Sequence, residues 1–372
     1  MRVVIAPDSF KGSLSAPQAA QAMAEGVRRV FPDAVIRLLP MADGGEGTLD
    51  AVLAATAGGR RSLTVTGAHG GPLRAEYGLL PDGAVMIEVA QVVGITLPGV
   101  GEVPVARRTT RGLGELLRHC LERGARRFWV GLGGSATNDA GVGLLAALGA
   151  RFFDARGAAV EPTLQGLMGF ARADFSSLDP RLRECEIALL SDVDNPLCGT
   201  RGATAVFGPQ KGVRLEEIAE FDGRLRRFAE AGDQWAGEAV SARPGSGAAG
   251  GLGYAFQLAR GKHRFGAETV GDLMGLDAAL AGADWAVTGE GRSDAQTLEG
   301  KAPFVVARRA RRAGVPVTLV SGSIDSGALA GLAQWFSACF SLVSKDVSKE
   351  QAMEKGESLL AEVVAQAARG VR

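Results

Sequence analysis

Residues 1–48 read MRVVIAPDSFKGSLSAPQAAQAMAEGVRRVFPDAVIRLLPMADGGEGT. Val3 to Ala6 is a short apolar run bounded by Pro7-Asp8, which reads as a buried strand. A polar loop follows through Lys11-Gly12. Ser15 then stands where a helix would be capped, ahead of Ala20, Met23, Val27 and Val30 at three- and four-residue spacing. A second apolar run, Val35 to Leu39, ends in the loop MADGGEGT, and a further helix is expected from Thr48 to about Ala57. Strand, loop and helix, twice over, is the pattern of a parallel sheet covered by helices.

The same pattern returns near the other end. WAVT (285–288) leads into the loop GEGRSD and a helix from Pro303; VPVTLV (315–320) leads into SGS and a region from Leu329 to Phe340. A last helix carries Met353, Leu360, Val363, Val364 and Ala367 on one face. The middle differs. From Ser62 to Val93 the runs LTVT, LRAEYGLL and AVMIEVA are separated by His69-Gly70-Gly71 and Pro81-Asp82-Gly83, as in antiparallel hairpins. A helix over Leu113, Leu116, Leu117, Cys120 and Leu121, the strand FWVGL, a glycine loop and the helix VGLLAAL come next. The expected class is α/β. A discontinuous doubly wound domain over 1–60 and 280–372 is interrupted by a mixed α/β domain over 61–279.

Composition excludes several functions. The 41 Lys+Arg balance 41 Asp+Glu, so no net field gathers nucleic acid or an anionic membrane. Arg308, Arg309, Arg311 and Arg312 fall on a helix and read as a solvated face. Four cysteines and three scattered histidines make no zinc-type spacing and disfavour a Ser-His-Asp triad. The N-terminal apolar run is too short for a signal-peptide core, and no run approaches a membrane span. A cytoplasmic protein acting on small molecules is the expectation; homo-oligomerisation is left open.

Glycine is the compositional outlier, at 53 of 372 residues, against a usual share of about 7%. Three loops at expected strand ends are glycine-rich and charged: Pro7 to Gly12, Asp43 to Thr48, and Gly289 to Asp294. Ligands of open parallel α/β sheets bind beyond the carboxyl ends of the strands. The loops would therefore gather Asp8, Lys11, Asp43, Glu46, Glu290, Arg292 and Asp294. Acids mixed with Lys and Arg imply a cation, or a phosphate-bearing ligand with Mg²⁺. Lysine is rare: of the 41 basic residues only seven are Lys, yet Lys11, Lys211 and Lys301 each adjoin a glycine. That singles them out as anion contacts. Gly131 to Gly141, between a strand and a helix, could bring backbone N–H groups to an anion. No Walker A pattern occurs, and the GxGxxG at Gly245, Gly247 and Gly250 follows Arg243-Pro244 rather than a strand. Asp192 and Asp194 share one side of an extended chain, and can hold Mg²⁺, take a hydroxyl proton, or merely form a turn before Pro196.

Taken together, PDSFKGSLSA, MADGGEGT, TTRGLGEL, GLGGSATNDAG, SDVDNPLCG, FGPQKG, GSGAAGGLG and GEGRSDAQTLEGKAP resemble the bacterial type 1 glycerate kinase family, in the family's order and over essentially the whole chain. Ala140 stands where the family pattern has glycine, and Arg111 departs from it as well. The resemblance implies ATP-dependent phosphorylation of D-glycerate to 2-phosphoglycerate with Mg²⁺. It also implies two α/β domains, one Rossmann- or flavodoxin-like, with the active site in the cleft between them. With that chemistry, Gly133, Gly134, Ser135 and Thr137 become candidates for the nucleotide phosphates. Lys11, Lys211 and Lys301 become candidates for the γ-phosphate or the glycerate carboxylate. Ser9, Asp43, Glu46 and Arg292 are candidates for substrate, and Asp192, Glu290 and Asp294 for metal. Asp8 or Asp192 would take the hydroxyl proton; the sequence does not choose. The rival expectations are a metal-dependent phosphatase and a non-enzymatic sugar-acid sensor.

Overall fold

The computed structural model describes residues 1–371. In chain order its strands are β1 (Arg2–Ile5), β2 (Val35–Leu38), β3 (Gly59–Thr66), β4 (Pro72–Leu79), β5 (Val85–Glu88), β6 (Arg127–Gly131) and β7 (Arg151–Phe153). There follow β8 (Arg172–Asp174), β9 (Glu186–Leu190), β10 (Lys262–Arg264), β11 (Trp285–Ser293), β12 (Val317–Ile324) and β13 (Ala338–Ser341). Two compact units emerge. Unit one comprises Met1–Asp43, Gly47–Gly58 and the chain from Phe265 onward; unit two comprises Gly44–Glu46 and Gly59–Arg264.

Unit one is built on a parallel five-stranded sheet in the order β13-β12-β11-β1-β2. Strands β1 and the first half of β11 are buried on both faces, as parallel strands between helical layers must be. Val3 and Ile5 join Met23, Val27, Leu360 and Val364 in one core cluster. Val4 alternates to the opposite face. The first of the helices in that cluster is Ala16–Arg28. Ser15 caps it in a reciprocal capping box with Gln18, where the sequence put its start.

Chain order reverses between β1 and β11. After β1 the chain adds β2 on one side, and every later strand is laid on the other. That reversal opens a crevice at the carboxyl ends of β1 and β11, as in flavodoxin-like sheets.

The return to unit one begins at Phe265, ahead of the expected residue 280. The reason is Arg309. Its side chain is only 6% exposed and is pinned by Glu268, Asp272 and Asp277 from helices Gly266–Leu273 and Leu276–Leu280. The helix Ala302–Arg312 is therefore not a uniformly solvated basic face, because one of its arginines binds these short helices to the unit.

Unit two carries a six-stranded sheet in the order β10-β9-β6-β5-β4-β3. The expected hairpins are present: β3 pairs antiparallel with β4, and β4 with β5. Strands β5, β6, β9 and β10 are parallel. The order runs monotonically along the chain, so this sheet has no reversal. Among the described residues no helix is long and apolar enough to cross a membrane.

Candidate active site

The crevice of unit one is a cavity of about 450 Å³. Beyond β1, the ladder continues: Ala6 N–H donates to Val287 O and Asp8 N–H to Gly289 O, both at 2.8 Å. Asp8 is thereby carried alongside Glu290. The segment Gly289–Ser293 is not a loop, as the sequence suggested, but the second half of β11, in register with β12 (Glu290 with Ser321, Arg292 with Ser323). Glycine lets the chains close up here. A Cβ on Gly289 would lie 2.0 Å from Val320 O, so these strands tolerate no side chain at that point.

Asp8, Ser9, Lys11, Asp43, Glu290, Arg292, Asp294 and Lys301 all line this cavity. Asp8 is 8% and Glu290 5% exposed. Burial holds the Asp8 carboxyl well above the usual carboxylate range. Asp43 and Glu290 add to the rise, while the Ser9 N–H and Lys11 oppose it. Ser9 N–H donates to Asp8 Oδ1 at 2.6 Å. The Glu290 carboxyl is also raised, chiefly by burial, against the pull of two hydroxyls. Thr297 Oγ1 donates to its Oε1 at 2.6 Å and Ser293 Oγ at 2.8 Å. These bonds fix the carboxylate's orientation. Asp294 accepts from Gln296 N–H and caps the turn Ala295–Glu299. Arg292 and Lys301 approach it only at 3.8 and 3.9 Å, so both cations are held loosely enough to turn toward an anion.

Several wall residues escaped the sequence reading: Ser323, Leu342, Val343, Lys349, Ala352 and Met353. Ser323 was in sight as the SGS end of β12. The others sit in ordinary-looking helix and loop sequence. Met353 does not belong to the last helix; it lies on the separate short helix Lys349–Glu354, capped by Ser348, and Gly356–Arg369 follows.

The remaining candidates lie in unit two. Glu46 accepts from Thr96 Oγ1 at 3.3 Å and is not part of the cavity wall. In the Gly131–Gly141 loop, a Cβ on Gly133 would sit 2.4 Å from Gly45 Cα, so this glycine serves close backbone packing on residues 44–46. The N–H groups of Gly133, Ala136, Ala140 and Gly141 donate to Gly44 O, Val93 O, Gly250 O and Asp139 Oδ1. Ser135, Thr137, Asn138 and Asp139 are buried. Thr137 Oγ1 and Asn138 Oδ1 are buried without a hydrogen-bond partner. Lys211 braces the loop: its Nζ donates to Ser135 Oγ at 2.9 Å and to Thr137 O at 2.8 Å. Burial pulls the Lys211 ammonium down to about 7, with Asp139 opposing and Arg108 reinforcing the fall. Burial pushes Asp139 up to about 6 against the bonds it accepts from Thr110 and Gly141. Asp192 and Asp194 follow β9, and Asp194 pairs with Arg201 at 3.1 Å. In the same turn Ser191 Oγ accepts from Val193 N–H at 3.3 Å.

The sequence matches the model of the glycerate kinase family over residues 3–372. The chain belongs to the glycerate kinase family. Its relatives include a glycerate kinase of Bacillus subtilis (strain 168), 42% identical over 95% of this chain and 93% of that one. Glycerate 2-kinase of Escherichia coli (strain K12) is 42% identical over 87% of this chain and 86% of its own length. A crystal structure described as a glycerate kinase 2 from Salmonella typhimurium LT2 superposes with a TM-score of 0.85 at 41% identity, covering 100% of this chain and 98% of that one. Family membership thus covers both units, and the α/β architecture is that of a glycerate kinase fold. Ala140 keeps a φ of +53°, so the loop holds a left-handed turn at a residue other than glycine.

Proposed function

We propose that the protein transfers the γ-phosphoryl group of ATP to a hydroxyl of D-glycerate, releasing ADP and 2-phosphoglycerate. The observation that carries this reading is the cavity at the reversal of the unit-one sheet. It combines two buried carboxylates, Asp8 and Glu290, with the cations Lys11, Arg292 and Lys301. Phosphoryl transfer is mostly positioning and charge neutralisation, and this set supplies both.

Asp8 is the proposed general base. A carboxylate whose proton affinity is raised by burial is better matched to a hydroxyl than an ordinary one. Asp192, in unit two, is the alternative base. Lys11 is proposed to neutralise the transferring group. Arg292 and Lys301, with Ser9 and Asp43, suit the carboxylate and hydroxyls of glycerate. Glu290 and Asp294 offer hard oxygen donors within one cavity. Among the described residues no group of three or more His, Cys, Asp or Glu has metal-holding geometry. A pair is enough for Mg²⁺, which commonly takes one or two carboxylates and completes its shell with water and phosphate oxygens. When bound, Mg²⁺ would offset phosphate charge.

A coupled ADP-release assay with and without D-glycerate tests the reading. ADP release that needs D-glycerate supports it. Phosphate release without an acceptor would point to a hydrolase, and no turnover to a sensor. Product NMR then identifies the phosphorylated hydroxyl.

A further inference from the structure

The unit-one cavity has a wall its proposed acceptor does not need. On the β13 side, Leu342 and Val343 follow the strand, and Ala352 and Met353 come from the helix Lys349–Glu354. Leu342 N–H donates to Ser321 O and Val343 N–H to Gly322 O, which fixes both residues beside the end of β12. D-Glycerate bears an oxygen on each of its carbons and offers no apolar face to such a wall. Its co-substrate does: the adenine of ATP is a flat, weakly solvated ring that gains from aliphatic contact. A cavity of about 450 Å³ lies in the size range of sites that enclose nucleotide-sized ligands and exceeds what a three-carbon acid fills.

The strand order points the same way: among the described residues only the unit-one sheet reverses it, the feature that opens a ligand crevice.

We propose that the β13 side of the unit-one cavity is a nucleobase subsite, in which Leu342, Val343, Ala352 and Met353 pack against the adenine of ATP. The acidic and basic groups around Asp8 and Lys11 are left for the triphosphate and the acceptor. This rests on the ATP–glycerate reading above. It gives the C-terminal segment 342–353 a specificity role that the sequence did not suggest.

Met353 provides the test, because it is 43% exposed and its replacement leaves the core intact. Both substrates are varied in steady-state assays of the wild type, Met353→Glu and Met353→Leu. Burying a carboxylate against the base should raise the KM for ATP by about tenfold or more. The KM for D-glycerate should stay within about twofold, and Met353→Leu should restore the wild-type value. A rise in the KM for D-glycerate, a rise in both, or a change in neither overturns the proposal. Calorimetric titration with ATP alone separates this outcome from the functional reading. If the wild type showed no glycerate-dependent ADP release, that reading would fail. ATP binding weakened by Met353→Glu would still uphold the subsite, and unchanged or undetected ATP binding would overturn it.

Discussion

Asp8 combines burial, two neighbouring carboxylates and a single short hydrogen bond from Ser9. Its charge costs the fold something, because burial and like charge both oppose ionisation. Asp8→Asn removes that charge at nearly constant shape. It should lower kcat by about 10²- to 10⁴-fold, the usual contribution of a general base, while Tm stays level or rises. Unchanged turnover would transfer the base role to Asp192. Lys211 carries a second residue-scale prediction. In the fold its ammonium titrates near 7, whereas an unfolded lysine titrates at about 10.4. Between those values the unfolded chain holds a proton that the native chain lacks, so stability rises with pH over that window and is lost as pH falls through it. The unfolding free energy measured from pH 7 to pH 10 should rise in the wild type relative to Lys211→Met, by on the order of 1 kcal/mol per pH unit at most. Parallel pH profiles would mean that Lys211 is not held neutral.

At the scale of elements, β11 shows what a sequence can and cannot reveal. WAVT was legible as a strand from its apolar run. GEGRS read as a loop because glycine and charge usually end strands, yet here they continue one. Gly289 removes a side chain where β12 comes close and Gly291 one where Phe10 and Lys11 do, while Glu290 lines the cavity with its carboxyl held by Ser293. Gly289→Ala would force a methyl against Val320 O and should cost about 3 kcal/mol, read as a fall in denaturation midpoint. A neutral substitution would show that the two strands can part. Arg309 was illegible for another reason. One arginine in a run of four looks like its neighbours, and only tertiary packing buries it. Its partners Asp272 and Asp277 remain 70% and 73% exposed, and Glu268, 29% exposed, keeps its pair with Arg308, so losing Arg309 strands no buried charge without a partner. Arg309→Met should therefore cost about 2 kcal/mol rather than the larger penalty of an orphaned ion. Limited proteolysis should find residues 266–280 cut faster in this variant than in the wild type; equal rates would remove Arg309 as the tether.

For the molecule as a whole, the alternation of strands and helices at both ends was enough to read a discontinuous α/β unit and the kind of middle that interrupts it. The charged loops were legible as a group because parallel strands send their carboxyl ends to one edge. Asp8, Lys11, Asp43, Glu290, Arg292, Asp294 and Lys301 do meet in one cavity. What the sequence did not carry was the apolar wall from 342 to 353, since aliphatic residues near a C-terminal helix look like core. Nor did it carry the close packing of Gly131 and Gly133 on the backbone of Gly44 and Gly45. The central claim is that this cavity serves phosphoryl transfer to D-glycerate, and it is tested most directly by following ADP with ATP present and D-glycerate added or withheld. The account predicts ADP release only with D-glycerate, and its loss in Asp8→Asn. Release of phosphate at the same rate without D-glycerate would contradict it.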